Sequence, residues 1–312
     1  MNSSPRPAQR SGVLLVDKPA GITSADLTNA LKDKFRIQRV GHGGTLDPFA
    51  TGLMVVLIGE ATKVARFLLE GDKEYEAVAT LGSETDTGDF TGEVVNKSEV
   101  PELALADWQE FAKSWTGTVR QTPPAYSAIK VKGKPLYEYA RNGEEVEVPT
   151  REVTIREFEI KSSGPEKVEF RVLCSGGTYV RALAADLAMA AGTSAHLSAL
   201  RRTASSSFRV KNALPLDSML KLSLDELPVR PLEEALAHLP QVSVNEILAL
   251  KIRQGNLAAF EALRGQIDKP GYFLVLDSSG PKPLPVAVCN HHPMMRPSCT
   301  IERVFDQRLS QT

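Results

Sequence analysis

One histidine and one carboxylate stand close together between residues 39 and 52, in the run Arg-Val-Gly-His-Gly-Gly-Thr-Leu-Asp-Pro-Phe-Ala-Thr-Gly. His42 sits among Gly41, Gly43 and Gly44, and Asp47 is followed at once by Pro48. Glycine admits positive φ and lets another molecule approach the backbone closely. Proline fixes its own φ and pushes the preceding residue out of the α region. Asp47 is therefore expected on a stiff, extended corner, and the apolar residues 53–58 behind it read as a buried strand. Such a corner displays one side chain at a fixed angle, which suits a nucleophile or a base. The same residues also build a plain tight turn with a capping Asp, because Gly, Asp and Pro are the common turn residues.

The elements around this corner follow from periodicity. Residues 12–17 read as a strand ending in the turn Lys18-Pro19. Thr23 and Asp26 have capping-box spacing, and Leu27, Ala30, Leu31 and Phe35 recur as on a helix. Ala61, Val64, Ala65, Leu68 and Leu69 mark an amphipathic helix closed by Gly71, with Lys63 and Arg66 on its solvated side. Tyr75, Ala77, Ala79 and Leu81 alternate along a strand and share one face. Leu105, Trp108, Ala112 and Trp115 outline another helix, and residues 153–160 and 168–174 read as paired strands. Ser175-Gly176-Gly177 turns the chain into a helix with the stripe Val180, Leu183, Ala184, Leu187 and Ala191, stopped by Gly192. Tyr179 and Arg181 fall in its first turn. A cation there opposes the helix dipole, which argues that Arg181 is placed for a partner. Residues 202–210 read as a strand and residues 214–239 as helical linker. Ser243 and Glu246 suggest a cap on a helix stopping at Gly255. Short strands follow at 272–276, 284–288 and 300–305.

Composition narrows the function classes. The chain has 312 residues, 42% hydrophobic and 24% charged, which is ordinary for a globular protein of about two domains. No apolar stretch nears the roughly 18 residues of a membrane span. Residues 1–10 read as a disordered polar tail, and Cys174, Cys289 and Cys299 give no paired framework, so a reducing, cytoplasmic setting is expected. The net charge of −1 speaks against a uniformly basic nucleic-acid binder. Its distribution still permits an RNA footprint: residues 120–141 hold five Lys/Arg and one acid, and Arg201, Arg202, Arg209 and Lys211 have no acid among them. Residues 122–149 combine Pro123, Pro124, Pro135 and Pro149 with Tyr126, Tyr137 and Tyr139 between basic residues. That suits a flexible RNA-gripping loop, or an ordinary surface hairpin. Cys289, His291, His292 and Cys299 fit no common zinc spacing, no Gly-Lys-Ser/Thr completes a phosphate loop, and the His/Cys set of a base deaminase is missing. No metal or cofactor is expected.

The run Gly41-His42-Gly43-Gly44-Thr45-Leu46-Asp47-Pro48 closely resembles the active-site motif of TruB-type tRNA pseudouridine synthases. The resemblance extends over residues 12–202 and includes Val16-Asp17-Lys18-Pro19, Lys73-Glu74-Tyr75 and Gly177-Thr178-Tyr179-Val180-Arg181. Gly43 departs from it, since the family usually carries a small hydroxyl residue there. The resemblance implies a cofactor-free isomerase that converts a T-loop uridine of tRNA, the one numbered 55, to pseudouridine. It implies Asp47 as nucleophile with Arg181 as partner, His42 as a wedge in the RNA loop, Tyr75 stacked on the flipped base, and Tyr179 and Leu200 lining the pocket. Lys18 is left as a phosphate ligand or a structural brace, and Leu200 as substrate contact or core. The implied fold is α+β, the pseudouridine-synthase fold: a central, largely antiparallel mixed sheet flanked by helices, with a small C-terminal β-rich PUA-like domain. The expected organisation is a catalytic domain over residues 11–238 with the inserted loop at about 122–149, then an RNA-binding domain over 239–312. The expected partner is the tRNA T-arm stem-loop, bound by a monomer with no membrane involved. A non-catalytic RNA-binding protein is the alternative, and Asp47 beside Arg181 distinguishes the two.

Overall fold

A computed structural model describes residues 10–263, 266–267, 269–294 and 298–305. Apart from Arg10, the expected tail lies outside them. Along the main path of the larger sheet the strands run Leu214–Pro215, Gly12–Lys18, Thr51–Ile58, Ala195–Ser205, Lys73–Leu81, Lys167–Cys174, Arg151–Ser163 and Gly117–Gln121. Leu214–Pro215 pairs parallel with Gly12–Lys18, as does Thr51–Ile58 with Ala195–Ser205, and the other neighbours along the path are antiparallel. The sheet is thus mixed and largely antiparallel. Short strands at Val40–His42 and Phe208–Arg209 pair onto Thr51–Ile58 and Ala195–Ser205. The helices Ser24–Phe35, Leu105–Ser114 and Val180–Ala190 bury their apolar stripes in one core with one face of this sheet.

The central strands are apolar on both sides because both sides are covered. In Gly12–Lys18, Leu14 and Val16 join the core of the three helices. Val13 and Leu15 face the other way, into a second cluster with Val55, Leu57, Phe67 and the C-terminal residues Leu274, Leu276, Val288 and Phe305. Leu274, Leu276 and Val288 belong to a separate sheet ordered Gln241–Val244, Gly271–Asp277, Leu284–His291 and Cys299–Val304, and Phe305 follows its last strand, so this is the small C-terminal β-rich part of the fold. The two parts share apolar core.

Several local expectations need correction. Residues 59–70 form a 3₁₀ segment, Gly59–Val64, followed by a short α-helix, Ala65–Glu70. Lys63 and Arg66 are not simply solvated. Lys63 pairs with Glu60 and donates to Val304 O at 2.9 Å. Arg66 lies 2.8 Å from Glu302 and stacks over Phe67 and Tyr272, so both cations fasten the C-terminal sheet to the larger one. The C-terminal helix Glu246–Arg253 is capped by Asn245, whose side chain accepts from Leu248 N–H, while Ser243 belongs to the preceding strand. Within residues 122–149, expected as a loop or a surface hairpin, the chain forms a two-strand hairpin, Lys130–Val131 with Lys134–Pro135, running into the helix Leu136–Arg141.

Candidate active site

Asp47 lies on residues 43–50, between the short strand Val40–His42 and Thr51–Ile58. This stretch makes few bonds to itself and is held from several other places. Ser24 Oγ donates to Leu46 O and accepts from Leu46 N–H. Gly21 N–H donates to Pro48 O, and Gly43 N–H to Val55 O, both at 2.8 Å. Lys18 Nζ, almost wholly buried, donates to the carbonyls of Pro19 (2.9 Å), Pro48 (3.1 Å) and Ala50 (2.7 Å). Arg202, 1% exposed, donates to Leu53 O (2.7 Å), Thr45 O (3.2 Å) and Gly44 O (3.0 Å). The corner is stiff because buried cations satisfy carbonyls that would otherwise lack donors. Lys18 is therefore a brace, with its three N–H donors all occupied. Gly52 permits this geometry: its φ is +102°, and a Cβ there would fall 2.3 Å from Arg202 O. Gly43 has a packing cause too. A Cβ built on it would meet Leu68 Cβ at 2.7 Å, so Leu68 occupies the space a side chain would need.

Arg181 reaches Asp47 from the first turn of the helix Val180–Ala190. Its Nε stands 2.9 Å from Asp47 Oδ2 and its Nη2 donates to Oδ1 at 3.3 Å, a side-on two-point contact. The guanidinium is fixed from behind. Nη1 donates to Thr87 O, Nη2 donates to Tyr126 O at 3.0 Å, and Asp89 lies 3.9 Å from Nη1. The Arg181 side chain is 4% exposed, whereas Asp47 keeps 31% of its surface open. The carboxylate is thus the accessible half of a buried pair. Burial pushes the Asp47 pKa above the ordinary carboxylate value, and Arg181 pulls against it without cancelling it.

Of the other expected site residues, His42 ends the strand Val40–His42, Tyr75 and Leu200 lie on Lys73–Leu81 and Ala195–Ser205, and Tyr179 precedes the Arg181 helix. His42 is half-buried, its Nδ1 accepts from Gly44 N–H at 3.4 Å, and burial with Arg202 nearby lowers its pKa, favouring the neutral ring. Tyr75 is buried on Lys73–Leu81, in register with Arg202 and Val172. Burial raises its phenol pKa, with Arg202 pulling the other way. Leu200, also buried, pairs with Ala77 and belongs to the helix-side core. Tyr179 is the N-cap residue of its helix, half-buried, with Arg151 over its ring at 4.8 Å. Its backbone is gripped from both sides by the Gln121 side chain, which donates to Tyr179 O (3.1 Å) and accepts from Tyr179 N–H (2.8 Å).

Sequence reasoning missed several supporting roles, although it singled out Lys73 and Tyr126 for other reasons. Asp89, Thr87 and Tyr126 position Arg181, Gln121 fixes Tyr179, and Lys73 Nζ donates to the carbonyls of Leu68, Leu69 and Gly71. Burial brings the Lys18 and Lys73 pKa values down to about 8. Arg201 and Arg202 leave the expected RNA footprint: Arg202 is buried, and Arg201 makes a two-point contact with Asp17 at 2.6 and 3.0 Å. Among the described residues no group of three His, Cys, Asp or Glu could hold a metal ion, and Cys289 and Cys299 are buried thiols.

Comparison with known proteins gives the family of the chain. Residues 32–180 match the N-terminal domain of the TruB family pseudouridylate synthases. A tRNA pseudouridine synthase B of Geobacillus thermodenitrificans is 41% identical over 269 residues, covering 83% of this chain and 89% of that protein. The chain belongs to the TruB family. One from Opitutus terrae is 47% identical over 219 residues, covering 70% of this chain and 91% of that protein. A chain of a Cbf5–Nop10–Gar1 complex superposes with a TM-score of 0.72, covering 96% of this chain and 87% of that one at 24% identity, which shows a shared fold. For this TruB-family chain, the motif expected to carry the chemistry is the stretch braced by Lys18 and Arg202.

Proposed function

We propose that this TruB-family pseudouridine synthase isomerises the T-loop uridine of tRNA numbered 55, with Asp47 as nucleophile on a flipped-out base. The observation that carries the reading is the Asp47–Arg181 contact, a partly open carboxylate on a braced corner held by a buried guanidinium. The rearrangement breaks the C1′–N1 bond, forms a C1′–C5 bond and moves a proton from C5 to N1. It is redox-neutral and uses no group carrier. It needs a nucleophile that is ionised where water is excluded, and Arg181 keeps that form accessible against burial. The uridine must leave its stack to reach Asp47. His42 fills the vacated place, Tyr75 stacks on the base, and Tyr179 and Leu200 close the pocket. We assign residues 11–238 to catalysis, with the segment 122–149 gripping RNA, and residues 239–312 to a PUA-like RNA-binding domain. The proposed chemistry draws on one chain, consistent with a monomer, and the relatives' named substrate fits a cytoplasmic enzyme.

The test is incubation with a T-arm stem-loop and mapping of pseudouridine, for the unaltered chain and for Asp47→Asn. The asparagine keeps shape and removes charge. Turnover should fall by at least about 10³-fold while RNA binding stays nearly intact, since phosphate contacts supply most of the affinity. Substantial residual turnover would remove Asp47 from the nucleophile role.

A further inference from the structure

The rim of the Asp47 site carries a large apolar side chain that internal packing does not explain. Phe90 is 56% exposed. Its ring meets Phe49 edge-on, with centroids 5.8 Å apart and planes at 89°, and Phe49 is a buried residue two positions beyond Asp47. Phe90 also stands next to Asp89, on the turn whose Thr87 carbonyl holds Arg181. That turn is rigid. Asp89 Oδ1 accepts from Thr87 Oγ1, Thr91 N–H and Thr91 Oγ1; Thr85 Oγ1 donates to Asp89 O; and Phe90 N–H donates to Leu197 O at 2.9 Å. Phe49 meets the ring in a T-shaped contact, and more than half of the residue's surface stays open, on a backbone that needs little further ordering to bind.

We propose that Phe90 is a stacking platform for the RNA base adjoining the target uridine. The proposal rests on the function assigned above and deepens it. Extruding the uridine uncovers base faces on both sides of the gap, more than the His42 side chain in the vacated place covers, and a flat apolar ring at the rim supplies a second stacking surface. Stacking on an aromatic ring tolerates any base, so Phe90 contributes affinity and registers the strand over Asp47 without reading sequence.

The test measures equilibrium binding of a T-arm stem-loop, with 2-aminopurine placed on either side of the target uridine, to the unaltered chain, Phe90→Ala and Phe90→Trp. Exposure makes the substitutions compatible with folding, and an unchanged melting temperature checks this. Phe90→Ala should weaken binding by about 5- to 100-fold, the range of one aromatic–base stack. The slope of log affinity against log salt should not change, because no charge is removed. The 2-aminopurine signal should change on one side of the uridine only, and Phe90→Trp should restore binding. A loss smaller than fivefold in Phe90→Ala, including none, overturns the proposal and leaves the ring to some other partner, such as a protein. Tryptophan behaving like alanine overturns it as well, and so does an altered salt slope. The binding readout is independent of turnover. Phe90-dependent binding without pseudouridine formation would refute the assigned function and leave the platform standing.

Discussion

Around Asp47 the cations are buried and each is occupied by oxygen atoms of the protein, whereas across residues 120–141 most of them stand in solvent. Lys18, Lys73 and Arg202 donate almost entirely to main-chain carbonyls, and Arg181 divides itself between Asp47 and two carbonyls. Arg120, Lys130, Lys132 and Arg141 are exposed, and in this run Lys134 has an acid partner, Glu144. The two regions use one charge for different ends. A buried guanidinium or ammonium supplies several donors to a loop with too few of its own, and its charge is tolerated because those bonds are made. An exposed lysine is nearly neutral for stability and is available to a phosphate. Buried cations should therefore act on kcat and stability, and exposed ones on KM and its salt dependence.

The comparison breaks most visibly at Arg181→Lys. Lysine keeps the charge and loses the planar fork that meets both Asp47 oxygens while bonding Thr87 and Tyr126. If position is what matters, kcat should fall by roughly 10²-fold. Its acidic limb adds a second readout. Asp47 already titrates above the ordinary carboxylate value because burial outweighs Arg181. A weaker partner raises it further, so the limb in kcat against pH should move to higher pH. Unchanged kcat and an unmoved limb, with weaker RNA binding, would place Arg181 among the phosphate-binding cations.

Lys18→Met should come next. The three carbonyls it serves lose their donor, at about 1 kcal/mol or more each, so stability should drop by about 2–4 kcal/mol with kcat falling too. The pH dependence identifies the cause. The folded pKa of about 8 lies below the ordinary lysine value of 10.5. Between the two the unfolded chain binds more protons, so this residue makes stability rise with pH across that window. Lys73 does the same, and the Met variant should lose about half of the combined rise in urea denaturation at pH 8 and pH 10. A variant as stable as the parent, with the full rise retained, would show that Lys18 is not the brace described.

How much of this is legible in the sequence follows the same division. The strand at Thr51–Ile58 and the helix Val180–Ala190 are legible because burial imposes a period on apolar residues. The Thr23–Asp26 capping box is legible because it is local. Asp47 and Arg181 stand out through their motifs, and the structure brings them together. Asp89, Gln121 and Arg202 do not, because each acts across about 60 to 160 residues of chain on a main-chain atom or another side chain. A carbonyl in need of a donor leaves no mark in the sequence. Arg66 reads as solvated for a related reason: its partners Tyr272 and Glu302 lie in the other sheet. Charge runs show sign and say nothing of depth, so 120–141 and 201–211 look alike.

The smallest effect, and the one that sharpens the comparison, belongs to the exposed region. Lys130 lies on the first strand of a hairpin and Lys132 in its turn, and the next element, Leu136–Arg141, buries only Leu136. Both lysine side chains stand in solvent, so replacing them with alanine should leave the melting temperature within about a degree, as surface changes do. If each meets a phosphate, KM for the T-arm stem-loop should rise several-fold at moderate salt. The slope of log KM against log salt should fall by about 0.7 to 0.9 for each phosphate no longer neutralised, with kcat nearly unchanged. Arg201→Ala is the matched control, since that arginine is engaged by Asp17 at 2.6 Å and should barely alter the slope. Measured side by side, the lysine pair should move the salt slope and Arg201 should not. The opposite result would mean that the ion pair opens for RNA, and depth in the free protein would then be a poor guide to which cations bind it.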